Sequence, residues 1–172
     1  MAEKIRDKDG YLIGVISDTH GRLPPSVPKA FQNTDLIIHA GDIGDPEIID
    51  SLEKIAPLRA VRGNMDLGQW ASGLKRTDTI KIGIRLLYVI HDAYHLNSQA
   101  PSNRYHVVVY GHTHRPQVKK QQGVLFVNPG SAAQPRYGFP PSVALLEFNG
   151  ARVNARLIDL TKQLPKIDNS PF

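Results

Sequence analysis

Five times in 172 residues, a short apolar run stops abruptly at a cluster of Asp, Asn, His and Gly. Residues 11–17 (YLIGVIS) lead into Asp18-Thr19-His20-Gly21, 35–40 (DLIIHA) into Gly41-Asp42-Ile43-Gly44-Asp45, and 58–62 (LRAVR) into Gly63-Asn64-Met65-Asp66. Residues 85–90 end at His91-Asp92, and 106–110 at Gly111-His112-Thr113-His114. Short β-branched runs bounded by turn formers read as buried strands. Between the first strands, the proline-rich stretch 24–28 opens a short helix through Phe31. Pro46 opens a second, whose Ile48, Ile49, Leu52 and Ile55 share one face. Alternating strands and helices predict a parallel sheet with helices on its faces.

The second half changes character. Residues 78–82, 85–90, 106–110, 117–121, 124–127, 142–148 and 151–158 all read as strands, with a hairpin turn at Asn149-Gly150 and a weaker one at Gln122-Gly123. The predicted fold class is therefore α/β, two mixed β-sheets packed as a sandwich flanked by helices. Ligands of open α/β sheets gather beyond the carboxyl ends of strands, so the five polar clusters are expected to meet in one site. A chain of this length predicts a single domain over 1–172, with a polar lead at 1–10 and a tail at 161–172.

Composition narrows the chemistry. With no Cys, disulfides, thiolate metal sites, Cys nucleophiles and CxxC redox pairs are excluded. No run approaches the roughly 18 apolar residues of a membrane span. The charged start MAEKIRDKDG, without an apolar segment, predicts a cytoplasmic protein. The net charge of +5 is spread along the chain rather than gathered in a stripe, which argues against nucleic acid as a partner. Carboxylate, imidazole and amide oxygen donors suit Mn(II), Fe, Ni(II), Co(II) or Zn(II) better than an all-oxygen Mg(II) or Ca(II) cage. One Asp-x-His at a strand end is commonly only a turn cap; the weight lies in five strand ends carrying such residues together. Asp45 and Asp92 are candidates to orient the imidazoles. His39, His95 and His106 read as packing or surface residues. Arg62, Arg115 and Arg136 flank the clusters and are candidate substrate contacts, because a guanidinium fork matches two phosphate oxygens. Tyr94, Tyr137 and Phe139 are candidates for an apolar rim.

The series ISDTHG, HAGDIGD, VRGNMD, IHD, YGHTHRP and VNPGS, spread over about residues 12–158, resembles the calcineurin-like metallophosphoesterases, and among them the YfcE-type phosphodiesterase branch. The resemblance implies the family's four-layer fold and a dinuclear site. Asp18, His20 and His114 would hold one ion, Asn64, His91 and His112 the other, and Asp42 would bridge them. It also marks Asp42, His112 and Asn64 as catalytic positions, and two divalent transition ions, Mn(II) foremost, as the cofactor. Two cations roughly 3.5–4 Å apart acidify a shared water and offset charge at phosphorus. The implied reaction is thus hydroxide attack on a small organic or nucleotide-like phosphodiester, with neither Ser17 nor Ser131 as nucleophile.

Two departures bear on the substrate. Many family members carry a proton-donating His where this chain has Met65, and a thioether donates no proton, so diesterase activity is expected to exceed monoesterase activity. The short link from His91 to His112, with Pro101 inside 97–104, leaves little room for a covering helix and predicts an open site. The family that this chain resembles includes the metallophosphoesterase-like retromer subunit, which serves in protein assembly, so a catalytically weak scaffold for protein assembly is the alternative. Retention of all seven ligand positions favours catalysis. A homodimer is the default oligomer.

Overall fold

Strand β1 (Gly10–Ile16) runs parallel to β2 (Leu36–His39), and β2 runs parallel to β3 (Leu58–Ala60). A computed structural model of the chain describes residues 10–96 and 104–162. On its other side β1 pairs antiparallel with β9 (Ser142–Asn149), which turns at Asn149-Gly150 into β10 (Arg152–Asp159), completing a five-stranded sheet in the order β10-β9-β1-β2-β3. The second sheet has the order β4-β5-β6-β8-β7. Its strands are β4 (Thr77–Ile82), β5 (Arg85–Ile90), β6 (Val107–Val109), β7 (Gln117–Gln121) and β8 (Val124–Asn128). The central β5, β6 and β8 are parallel, and β4 and β7 are antiparallel edges. Two mixed sheets are what the sequence predicts.

Alternation along the strands builds the sandwich. Ile13, Val15, Leu36, Ile38 and Leu146 meet Ile80, Leu87, Val89, Val107 and Val109 between the sheets. On the other face of the first sheet, Ile37, Val143 and Leu145 are covered by Val27 and Phe31 of the α1 region (Val27–Ala30) and by Ile48 and Leu52 of α2 (Pro46–Glu53). Burial on both faces is why β1 and β2 read as continuous apolar runs. Gly14 makes room for Phe31, since a Cβ there would come within 2.9 Å of the ring. Asp45 caps α2 by accepting the Glu47 N–H at 2.8 Å, with Pro46 in the first turn.

The third strand-and-helix unit differs from the first two. β3 ends at Ala60: the Val61 amide still donates to His39 O of β2 at 3.0 Å, but the chain then pairs with Lys75 through an isolated bridge, and the next helical segment is a 3₁₀ turn, Gln69–Gly73. The outer face of the second sheet carries Tyr88, Ile90, Val108, Tyr110 and Val124. Ala93 of the 3₁₀ turn Ala93–His95, and Leu96 just after it, pack against this face. Of the link 97–104, and of the lead 1–10 and tail 161–172, residues 97–103, 1–9 and 163–172 lie outside the described residues. Among the described residues no helix is long and apolar enough to cross a membrane.

Candidate metal centre

The five strand-end loops are stitched together before any side chain is considered. The Asp18, His20 and Gly21 amides donate to the carbonyls of Gly41, Asp42 and Ile43 at 3.0, 3.0 and 2.7 Å, and the Gly111 amide donates to His91 O at 2.9 Å. The Asp66 carboxylate accepts the Gly44 and Gly63 amides at 2.9 and 2.8 Å, clamping two loops. Seven non-glycine residues among those described have positive φ, and five of them are Asp18, His20, Asp42, His112 and His114, at 46–67°. Left-handed backbone is uncommon outside glycine and costs on the order of 1 kcal/mol or more per residue, so it persists where the surroundings over-determine it. Here it turns five donor side chains toward one centre.

All seven residues singled out as ligands converge. Asp18, Asp42, His91 and His114 each have one polar atom used by the protein and another turned inward. Asp42 Oδ1 accepts the Met65 amide at 2.8 Å, while Oδ2 lies 3.3 Å from His91 Nε2 and 3.9 Å from His20 Nε2. His91 Nδ1–H donates to Ala40 O and His114 Nδ1–H to Gln134 O, both at 2.7 Å, leaving their Nε2 atoms facing the centre. Asn64 Oδ1 stands 3.1 Å from both His91 Nε2 and His112 Nδ1. Asp18 Oδ2 accepts from the Ser17 hydroxyl at 2.6 Å and the His112 amide at 3.2 Å. Its Oδ1 is buried without a hydrogen-bond partner, although His114 Nε2 lies 3.2 Å away and His20 Nε2 3.8 Å. A buried carboxylate oxygen in that state is costly unless a cation completes it. Two overlapping donor groups, Asp18-His20-His114 and Asp18-Asp42-His91, are close enough to hold a metal ion. The donor set therefore fits the implied metal.

The electrostatics agree. Burial works to lower the His91 pKa, but the adjoining Asp42 carboxylate and the charge of Asp18 outweigh it and raise the value above normal. The Asp18 carboxylate likewise raises His114 against the opposing effect of burial. Burial pushes the Asp42 carboxyl up, yet His91 and the Met65 amide bring it below the usual range.

Residues 11–151 match the calcineurin-like phosphoesterase superfamily domain. The chain belongs to that superfamily. It is 34% identical over 163 residues to a probable metallophosphoesterase of Methanothermobacter thermautotrophicus, covering 86% of this chain and 91% of the relative. It is 32% identical over 147 residues to a phosphodiesterase of Methanocaldococcus jannaschii, covering 74% and 88%. Among solved structures, Vps29 of Entamoeba histolytica complexed with Zn²⁺ superposes with a TM-score of 0.68 at 25% identity, covering 87% of this chain and 99% of that one. The family expected from the strand-end motifs is the one found.

Around the centre of this calcineurin-like domain, the remaining candidates divide. Arg62 is half-buried and donates from Nε to Asp66 O at 2.9 Å, bracing its own loop. Arg115 is exposed, and its guanidinium lies 4.3 Å from the centroid of the Tyr137 ring. Arg136 is exposed, and its positive charge is felt at His114. Asp45 is the α2 cap rather than a partner of an imidazole, whereas Asp92 Oδ2 lies 3.9 Å from His112 Nε2. Tyr94, Tyr137 and Phe139 are exposed, as is Met65. Sequence reasoning missed several supports. Ser131 donates to Asp18 O at 2.8 Å, Asn128 Nδ2 reaches Gly111 O and Thr113 Oγ1 at 3.0 Å each, and Arg22 donates to Ala133 O at 2.9 Å. Asn128 and Ser131 lie within the VNPGS motif, so a signal for them existed.

His39 is fully buried, and desolvation lowers its pKa to about 3 despite the opposing carboxylates of Asp18 and Asp42. Between about pH 6.5 and pH 3 the unfolded chain takes up a proton that the native imidazole refuses, so stability falls as the pH falls. His91 and His114, raised in the fold, are protonated in both states there and add no slope, and Asp42 acts only below its ordinary carboxylate pKa. The metal-free protein is expected to lose on the order of 1 kcal/mol per pH unit from this group between pH 6 and 4. Melting curves across that range should show a flatter dependence in His39→Gln; equal slopes would refute the assignment.

Proposed function

We propose that this chain is a dinuclear-metal-dependent phosphodiesterase acting on small organic or nucleotide-like phosphodiesters, with weak monoesterase activity. The observation that carries the reading is the buried Asp18 Oδ1 without a hydrogen-bond partner, grouped with His20, His114, Asp42 and His91 closely enough to share a metal ion. Asp18, His20 and His114 would hold one ion, and Asn64, His91 and His112 would hold the other. The bridging role of Asp42 is supported by its Oδ2, which faces His20 on one side and His91 on the other. Two Mn(II) ions are the preferred cofactor, with Fe, Ni(II), Co(II) and Zn(II) also suited to these donors. When bound, such a pair activates water and offsets charge on the phosphate. The residues themselves fix donor orientation: Ala40 O and Gln134 O set the His91 and His114 tautomers, and the Met65 amide holds Asp42.

Substrate capture is assigned to Arg115 and Arg136, with Arg62 acting through the Asn64 loop. Stacking on Tyr137 pre-orders the Arg115 fork for phosphate oxygens. Arg115→Ala is expected to raise KM for a diester roughly tenfold with kcat little changed, as suits a lost charged hydrogen bond. Tyr137→Ala should raise it about threefold, and Tyr137→Phe hardly at all. A fall in kcat alone would contradict this assignment.

Met65 is 54% exposed and can donate no proton to a leaving oxygen. Met65→His is expected to raise turnover of 4-nitrophenyl phosphate about tenfold, within the range of general-acid contributions; an unchanged or lower rate would count against the role given to this position. The primary test is hydrolysis of bis(4-nitrophenyl) phosphate beside the monoester by chelated protein reloaded with Mn(II). Diester turnover that requires metal supports the enzyme. Binding of two ions with no turnover of either ester favours the scaffold reading, which the likeness to Vps29 keeps in view.

A further inference from the structure

We infer that His39 is a positioning residue for the metal centre, its buried imidazole locking the loop that carries Asp18 and His20 to the loop that carries Asp42. The ligand roles of those three residues rest on the proposed function; the lock itself is read from contacts. His39 ends β2 with no exposed surface. Its Nδ1 accepts the Gly41 amide at 3.2 Å, which leaves Nε2 as the protonated nitrogen. Nε2 lies 2.9 Å from Thr19 Oγ1, and the Thr19 hydroxyl donates to Ile43 O at 2.9 Å. The hydroxyl proton being committed to Ile43, Thr19 Oγ1 accepts from His39. Only the neutral imidazole, in this one tautomer, satisfies all four groups.

The connected residues are what give this network its meaning. Thr19 lies between Asp18 and His20, while Gly41 and Ile43 flank Asp42. The path Gly41 to His39 to Thr19 to Ile43 closes a ring around the Asp42 backbone, alongside the three backbone bonds between the same loops. Asp18, His20 and Asp42 all hold positive φ. Such conformations persist when redundant contacts enforce them, and the ring supplies that redundancy where two ligand loops touch. A simple core residue needs only volume. His39 instead spends both ring nitrogens on the two loops.

The test is calorimetric titration of Mn(II) into chelated wild-type protein, His39→Leu, His39→Gln and His39→Asn, with circular dichroism to check folding. His39→Leu is expected to bind Mn(II) roughly 10- to 100-fold more weakly, the range seen when outer partners of metal ligands are removed. The Gln amide can still donate to Thr19, and the Asn carbonyl can still accept from Gly41. Each should recover part of the affinity without restoring it fully. If His39→Leu does not fold, the two polar variants decide, and a loss beyond threefold in either supports the lock. Variants that melt at lower temperature yet bind Mn(II) as the wild type does would overturn it, reducing His39 to a core residue. A wild type that takes up only one ion would overturn the dinuclear reading instead; the affinities of the His39 variants for that single ion would still decide the lock.

Discussion

Asp42→Asn is expected to lower metal-dependent diester hydrolysis on the order of a thousandfold, with loss of one Mn(II) equivalent and an unchanged apo fold. The substitution keeps the shape of the side chain and can keep the acceptor at Oδ1 for the Met65 amide. What changes is the other atom. Oδ2, lying 3.3 Å from His91 Nε2 and 3.9 Å from His20 Nε2, becomes an amide nitrogen that donates where a ligand must accept, and the charge between the two donor groups disappears. The expectation is checked by Mn(II) stoichiometry together with bis(4-nitrophenyl) phosphate turnover. Activity within tenfold of wild type would remove Asp42 from the bridging position.

Gly63→Ala should be nearly as damaging, for a steric reason. Its φ does not lie in the left-handed region, so the demand is for space alone. An added Cβ would overlap the Asp42 amide nitrogen and Oδ1 and sit 2.8 Å from Asp42 Cα. Those backbone atoms are buried and held in a left-handed turn, so the Gly63–Asp66 loop must move, breaking the bond from the Gly63 amide to Asp66. Overpacking against backbone costs about 3 kcal/mol, or roughly 10 °C in melting temperature for a chain of this size. Mn(II) affinity should fall with it, because Asn64 rides on the displaced loop. Gly73→Ala is the control: a Cβ there meets nothing within 4 Å, and neither quantity should change. Equal melting temperatures for the two variants would refute the argument.

Much of this was legible in the sequence because the signals were local. Residues 85–90 and 117–121 form strands with the expected bounds: the first is an apolar run ended by turn residues, and the second, polar and exposed, is marked by the Gln122-Gly123 turn that folds it onto β8. The candidate donors were legible because each lies in a polar cluster that ends a strand-like run. β3 ends two residues short of the predicted strand, as nothing local says that past the Val61 amide, which still donates to His39 O, the chain pairs with Lys75. The orienting groups for His91 and His114 are the carbonyls of Ala40 and Gln134, and a backbone carbonyl has no sequence signature. Asp45, by sequence a candidate to orient an imidazole, is a helix cap. The carboxylate that clamps the loops is Asp66, whose place at the end of GNMD is ordinary turn chemistry. His39 looked like packing because its partners lie 20 residues away on the Thr19 side.

The left-handed backbone at Asp18, His20, Asp42, His112 and His114 has a practical consequence for engineering. Glycine is at ease in that conformation, and stabilising changes are readily found wherever function has been favoured over fold. A library screened for heat resistance in chelator would therefore enrich glycine at these positions, His112 first because it is the most exposed of the five. The tougher the survivors, the emptier their chemistry. Selection on this scaffold must keep metal and substrate present at every round.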